Sequence, residues 1–128
     1  VRRIIDASVV LAVCQNEPGM EEARHRMRFG LISAVNASEV YQKSGACDRL
    51  SLARAIMATA GIEIVPFTND VALIAAEIHP LVKGRDISFA DRACLALGMA
   101  EYLPILTGDH AWLHLPIDAE VETFRQMS

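Results

Sequence analysis

Short aliphatic runs recur along this chain, and each is followed by a stretch with helical spacing. Ile4-Ile5-Asp6 closes the first run, over residues 1–6, and Leu31-Ile32-Ser33-Ala34, 62–65 and 103–107 repeat the pattern. Consecutive branched residues such as Ile4 and Ile5 suit a strand covered on both faces, as in a parallel sheet, rather than one with a wet face. Ser8 is placed to cap a first helix through 9–13, and 21–28 reads as a second, with acids early and Arg24, Arg26 and Arg28 late. Asn36 precedes a helix carrying Glu39, Val40 and Tyr41. Ser51 is placed to cap 52–60, with Gly61 as its stop. Asn69 leads a helix whose apolar positions Val71, Ile74, Ala75 and Ile78 follow the i, i+3, i+4, i+7 template, and Pro80 is its expected end. Residues 121–124 read as a short edge strand. The alternation predicts a three-layer α/β/α sandwich with a mainly parallel central sheet. The 128 residues are expected to form one domain, large enough to bury a core without disulfides.

Hydrophobic residues make up 52% of the chain and aromatics only 5%, so the interior is aliphatic. No apolar run reaches membrane-spanning length, and no basic segment leads into an apolar stretch with a cleavage site. The chain opens on Val1 rather than Met, which leaves room for residues before it. Cys14, Cys47 and Cys94 are odd in number and set in apolar helical contexts. They are expected to be buried, reduced thiols of a cytoplasmic protein. The net charge of −4 argues against a polyanionic partner until its distribution is considered. If several acids gather in one pocket, the remaining surface is near neutral. Ten of the twelve basic residues are Arg, the side chain suited to bidentate phosphate contact.

The acids themselves carry the functional signal. Ser88 and Asp91 have capping-box spacing ahead of an apolar run. Asp6 ends a strand, Glu39 sits three residues after Asn36, and Asp109 follows Leu106-Thr107-Gly108. Each lies where a strand hands over to a helix, and in parallel sheets ligands bind outside the carboxyl ends of the strands. Two carboxylates about 4 Å apart repel by roughly 4 kcal/mol at an effective dielectric near 20, so a cluster of them needs protons or a cation. A helix N-terminus offers each acid only ~0.3–1 kcal/mol. Mg²⁺ or Mn²⁺, which takes oxygen ligands and keeps waters, is the natural remedy. His25, His79, His110 and His114 form no zinc pattern with the cysteines. A carboxylate-held hard cation with open water positions suits phosphoryl transfer.

Ile4-Ile5-Asp6-Ala7-Ser8, Ala37-Ser38-Glu39-Val40, Ile87-Ser88-Phe89-Ala90-Asp91-Arg92-Ala93-Cys94-Leu95-Ala96 and Leu106-Thr107-Gly108-Asp109 together resemble the PIN-domain family. More narrowly, they resemble VapC-type toxins of bacterial type II toxin–antitoxin systems. The likeness extends over essentially the whole chain. It implies a Mg²⁺- or Mn²⁺-dependent endoribonuclease, a homodimer, silenced by a small antitoxin protein and with no membrane partner. By position, Asp6, Glu39, Asp91 and Asp109 are then the catalytic acids, with Asp6, Asp91 and Asp109 holding metal. Glu39 completes the set through water or orients the nucleophile, and Ser8 and Thr107 support the acids by hydrogen bonding. Asp86 is an extra acid that either supports a second ion or caps a turn. No side chain is an obvious general base, so a water activated by the ion is the expected nucleophile.

Taken one at a time, Glu39, Asp91 and Asp109 are adequate helix caps; Asp6 is the hardest to explain that way, because it directly ends an Ile-Ile strand. Arg24, Arg26 and Arg28 read as a solvated helix face. Lys43, Arg85 and Arg92 lie nearer the acids in sequence and are the candidates for RNA phosphate contact. Trp112 and Tyr102 read as core or dimer packing, and His110 as a border of the pocket. A receiver-type phosphoacceptor needs an acidic pair after the first strand and a late Lys, and Lys43 and Lys83 are both misplaced for it. A non-catalytic PIN-fold module that only binds RNA or protein is the closer rival. It would normally have lost an acid, and none is missing here.

Overall fold

A computed structural model describes residues 1–125. Five parallel strands, β1 (Ile4–Ile5), β2 (Leu31–Ser33), β3 (Glu63–Val65), β4 (Ile105–Thr107) and β5 (Val121–Thr123), form one sheet in the order β3-β2-β1-β4-β5. Six helices connect them: α1 (Ala7–Cys14), α2 (Met20–Arg26), α3 (Ala34–Ala46), α4 (Leu50–Thr59), α5 (Asn69–Val82) and α6 (Phe89–Glu101). A 3₁₀ turn, His110–His114, leads from β4 towards β5. The three layers expected from the strand–helix alternation are present, and every strand pairing is parallel.

Period-two alternation splits the core. Ile5, Ile32 and Leu106 pack with α1, α2, α4 and the buried face of α3. Their neighbours Ile4, Leu31 and Ile105 point the other way, onto α5 and α6. Hence Ile4 and Ile5 are both fully buried although adjacent. Gly98 lets α6 lie directly on β4, because a Cβ there would stand 2.3 Å from Ile105 Cγ1.

Element ends depart from the expected caps, for reasons of hydrogen bonding. Asp6, not Ser8, occupies the cap position of α1. Ser33 caps α3 by accepting from Val35 N–H at 3.2 Å, which leaves Asn36 inside the helix with its Nδ2 donating to Ala90 O at 3.0 Å. Thr68, not Asn69, caps α5, and Arg49, not Ser51, takes the cap position of α4 without a side-chain bond. Pro80 does not end α5, which runs on to Val82. Ala76, whose carbonyl loses its partner to Pro80, is on the exposed face, so water can replace that bond. Buried Val82 anchors the last turn. Of the cysteines, Cys14 and Cys94 are buried but Cys47 is exposed on the residue that ends α3.

Candidate active site

Parallel strands place every strand's carboxyl end at the same rim of the sheet, and the acids meet there. A cavity of about 370 Å³ is lined by Asp6, Glu39, Asp91 and Asp109, with Ser8, Gln15, Glu17, Lys43, Trp112 and Arg125 around them. Asp6 comes from the residue after β1, Glu39 from the second turn of α3, Asp91 from the first turn of α6, and Asp109 from the loop after β4.

Asp6 is only 6% exposed, because it follows the central strand and is roofed by α1. Its Oδ2 accepts from Ser8 Oγ at 2.6 Å and from Thr107 Oγ1 at 2.9 Å. The same hydroxyls accept in turn: Gly108 N–H donates to Ser8 Oγ at 2.9 Å, and Asp109 N–H to Thr107 Oγ1 at 3.1 Å. One hydroxyl relay thus fixes Asp6 and the backbone of Asp109 together.

Asp91 completes the capping box. Its Oδ2 accepts from Ser88 N–H at 3.0 Å, while its own N–H donates to Ser88 Oγ at 3.1 Å. Asp109 accepts from Ala111 N–H at 2.9 Å and starts the 3₁₀ turn. Each is a helix cap and a cavity wall at once, so capping does not take either carboxylate out of the cavity. Glu39 is half-buried, with Lys43 Nζ 3.7 Å from its Oε2.

Burial raises Asp6 above the usual carboxylate range; the Ser8 and Thr107 hydroxyls pull it back, and the charge of Glu39 pushes it up again. Asp91 is raised by burial first, against its bonds to Ser88, and further by Asp6 and Asp109. The Cys94 thiol, fully buried one turn along α6, is pushed well above its ordinary value by burial and then by Asp6, Asp91 and Glu39. These acids therefore feel one another, and neutral hydroxyls and amides, rather than arginines, hold Asp6, Asp91 and Asp109.

The remaining candidates lie elsewhere. Asp86 is exposed in the loop before α6 with φ 57°, a left-handed conformation that Asp tolerates, outside the cavity lining. Arg85 is exposed in the same loop. Arg92, next to Asp91 in sequence, points back to α5: its Nη1 donates to Ala75 O at 2.8 Å and its guanidinium lies 5.6 Å from the Phe89 ring centroid. Of the three cations expected near phosphate, Lys43 alone lines the cavity. Trp112 is buried, whereas Tyr102 is 93% exposed and packs in no core. His110 borders the site through its Nε2 at 3.0 Å from Arg125 O. Sequence reasoning did not single out Gln15, Glu17 or Arg125.

Fold and rim together define a parallel α/β/α protein whose strand-end carboxylates share one cavity. The PIN domain family model matches residues 3–117, and the chain belongs to that family. In fold it is similar to a chain of DNA-bound VapBC from Salmonella typhimurium, with TM-score 0.77 and 15% identity over 97% of this chain and 98% of that one. VapBC-5 from Mycobacterium tuberculosis gives TM-score 0.69 and 24% identity over 98% of each chain. VapC20 of the same organism, described as a Sarcin-Ricin loop cleaving toxin, gives TM-score 0.69 and 16% identity over 88% of this chain and 95% of that one. No curated protein sequence matches significantly. Among the described residues, no helix is long and apolar enough to cross a membrane.

Proposed function

We propose that the chain is a divalent-metal-dependent endoribonuclease that acts as the toxin of a toxin–antitoxin pair. The observation that carries this reading is the shared cavity: Asp6, Glu39, Asp91 and Asp109, from four separate elements, line it together. Membership of the PIN family and the likeness in fold to VapBC chains support it.

The donor set fits a hard cation. Among the described residues, its lining offers carboxylate oxygen and no thiolate or imidazole, and Cys94 is sealed in the core. Among the described residues, no three Asp, Glu, His or Cys side chains form a ready-made ligand shell. Mg²⁺ does not require one, being held typically by one or two carboxylates, waters and substrate phosphate. Asp6, Asp91 and Asp109 are the residues that would hold it. When bound, Mg²⁺ or Mn²⁺ offsets the charge of the phosphodiester and lowers the pKa of a water.

The chain's own groups do the rest. Ser8 and Thr107 hold Asp6 in one orientation, and the capping bonds do the same for Asp91 and Asp109. Glu39, less buried than Asp6 and paired with flexible Lys43, orients the attacking water.

The test is cleavage of a panel of labelled single-stranded RNAs by the purified chain. Cleavage is expected with Mg²⁺ or Mn²⁺, is stopped by EDTA, and is lost in Asp6→Asn and Asp91→Asn. An intact panel with the metal-loaded wild type contradicts the enzyme and favours a binding module. Expression of the wild type should be toxic, and co-expression of a small protein encoded beside it should relieve the toxicity; harmless expression contradicts the toxin role alone.

A further inference from the structure

We propose that Arg125 grips a phosphate of the RNA chain at this cavity and that Glu17 competes with that phosphate for the guanidinium, holding it back until RNA arrives; this rests on the ribonuclease reading above. Arg125 follows the end of β5, at the same rim as the acids, and only it and Lys43 are cationic among the described cavity-lining residues. A polyanion approaching five carboxylates needs a fixed positive charge. Lys43 is 57% exposed on a flexible stem, whereas Arg125 is pinned from several sides. Its Nε donates to Gly108 O at 3.1 Å, its Nη2 lies 2.9 Å from Glu17 Oε1, and its guanidinium carbon is 4.7 Å from the Phe124 ring centroid. Among the described residues, those bonds leave Nη1 to a ligand. A Cβ at residue 108 would stand 2.6 Å from Nε, so glycine there is what allows the guanidinium to lie against the loop that carries Asp109.

The same geometry also suits a purely structural tie between the α1–α2 loop and the β4 loop, and the two roles differ in sign at Glu17. If the pair is only a tie, Glu17→Gln and Arg125→Gln weaken the same contact and act alike. If Arg125 meets phosphate, Glu17→Gln releases it and RNA binds more tightly.

The experiment is fluorescence anisotropy of a labelled mixed-sequence single-stranded RNA on the full chain. Asp91→Asn serves as the background, in EDTA, over a salt series, with the Tm of every variant recorded. Arg125→Gln should weaken binding about tenfold and flatten the slope of log K against log salt by about 0.7, as for one lost phosphate contact on a single strand. Arg125→Lys should keep the slope while losing part of the affinity, since it keeps charge but not the fork. Glu17→Gln should tighten binding, and that gain should vanish in the Arg125→Gln background. An unchanged slope in Arg125→Gln, weaker binding in Glu17→Gln, a gain that survives without Arg125, or no RNA binding in the Asp91→Asn background overturns the inference. Cleavage of the same RNA by the wild type is read separately: cleavage with a flat Arg125 response removes only this inference. The expected binding pattern without cleavage removes only the enzyme.

Discussion

The three aspartates of the cavity and the glutamates at the other end of the sheet are held in opposite ways, although Glu39 and Glu17 at the cavity also meet cations, Lys43 and Arg125. Where the strands begin and along the β5 edge, acids meet arginines: Glu63 pairs with Arg2 at 3.1 Å, and Glu122 is shared by Arg3, at 3.0 Å, and Arg26. Where the strands finish, Asp6, Asp91 and Asp109 are held by hydroxyls and backbone amides that orient them without cancelling their charge. The first arrangement joins elements: Arg26 also donates to Thr123 O at 2.9 Å, tying α2 to β5. The second leaves these three aspartates without an ion-pair partner among the described residues, which costs stability and, on the proposed function, suits a cation.

The largest contrast should come from removing charge at each end. Asp6→Asn or Asp91→Asn should reduce RNA cleavage to background while the protein stays folded, as read by a gel assay beside circular dichroism. Next in size, Ser8→Ala and Thr107→Val should cut activity or metal affinity about 10–100-fold, the usual cost of losing a group that orients a ligand. If either left cleavage untouched, the hydroxyl relay would have no part in positioning Asp6.

Glu122→Gln should do the reverse, sparing cleavage and lowering stability by about 1–2 kcal/mol in urea unfolding, between the values for exposed and buried pairs. That intermediate figure follows from side chains only 24% exposed at Glu122 and 21% at Arg3. The pair of Arg2 and Glu63, 50% and 62% exposed, should matter least, at under ~1 kcal/mol for Arg2→Gln. Activity loss in either variant would blur the division between the two ends.

The pH dependence sharpens it further. Burial raises Asp6 and Asp91 above their unfolded values, so from about pH 4 up to the raised values the native protein holds more protons than the unfolded chain. Stability of the metal-free protein from these groups therefore falls as pH rises through that window. Asp6→Asn should remove part of the fall and raise the Tm at neutral pH in EDTA. An unchanged pH profile would mean that Asp6 carries no strain.

Local chemistry was legible in the sequence and long-range convergence was not. The Ser88–Asp91 box spans three residues and forms as its spacing predicts. Ile4 and Ile5 announce a strand covered on both faces, and both are buried. The caps at Ser33 and Thr68 were missed in favour of Asn36 and Asn69, because a residue at a strand or loop end can serve equally as a cap and composition does not choose between them. Arg92 misleads by proximity: one residue along a helix turns the side chain about 100°, and it leaves Asp91 for α5. Arg125 was missed although the rule that picked out Asp6 and Asp109, a polar residue just past a strand end, applies to it equally once 121–124 is taken as a parallel strand.

The central proposal is that Asp6, Asp91 and Asp109 together make a divalent-ion site. Its most direct test is titration of Mn²⁺ into the purified wild-type, Asp6→Asn and Asp91→Asn proteins, with calorimetric binding and Tm read together. Saturable binding with a rising Tm in the wild type, sharply weakened in both variants, is the expected result. Equal Mn²⁺ affinity in all three proteins, or no binding in the wild type, would contradict it.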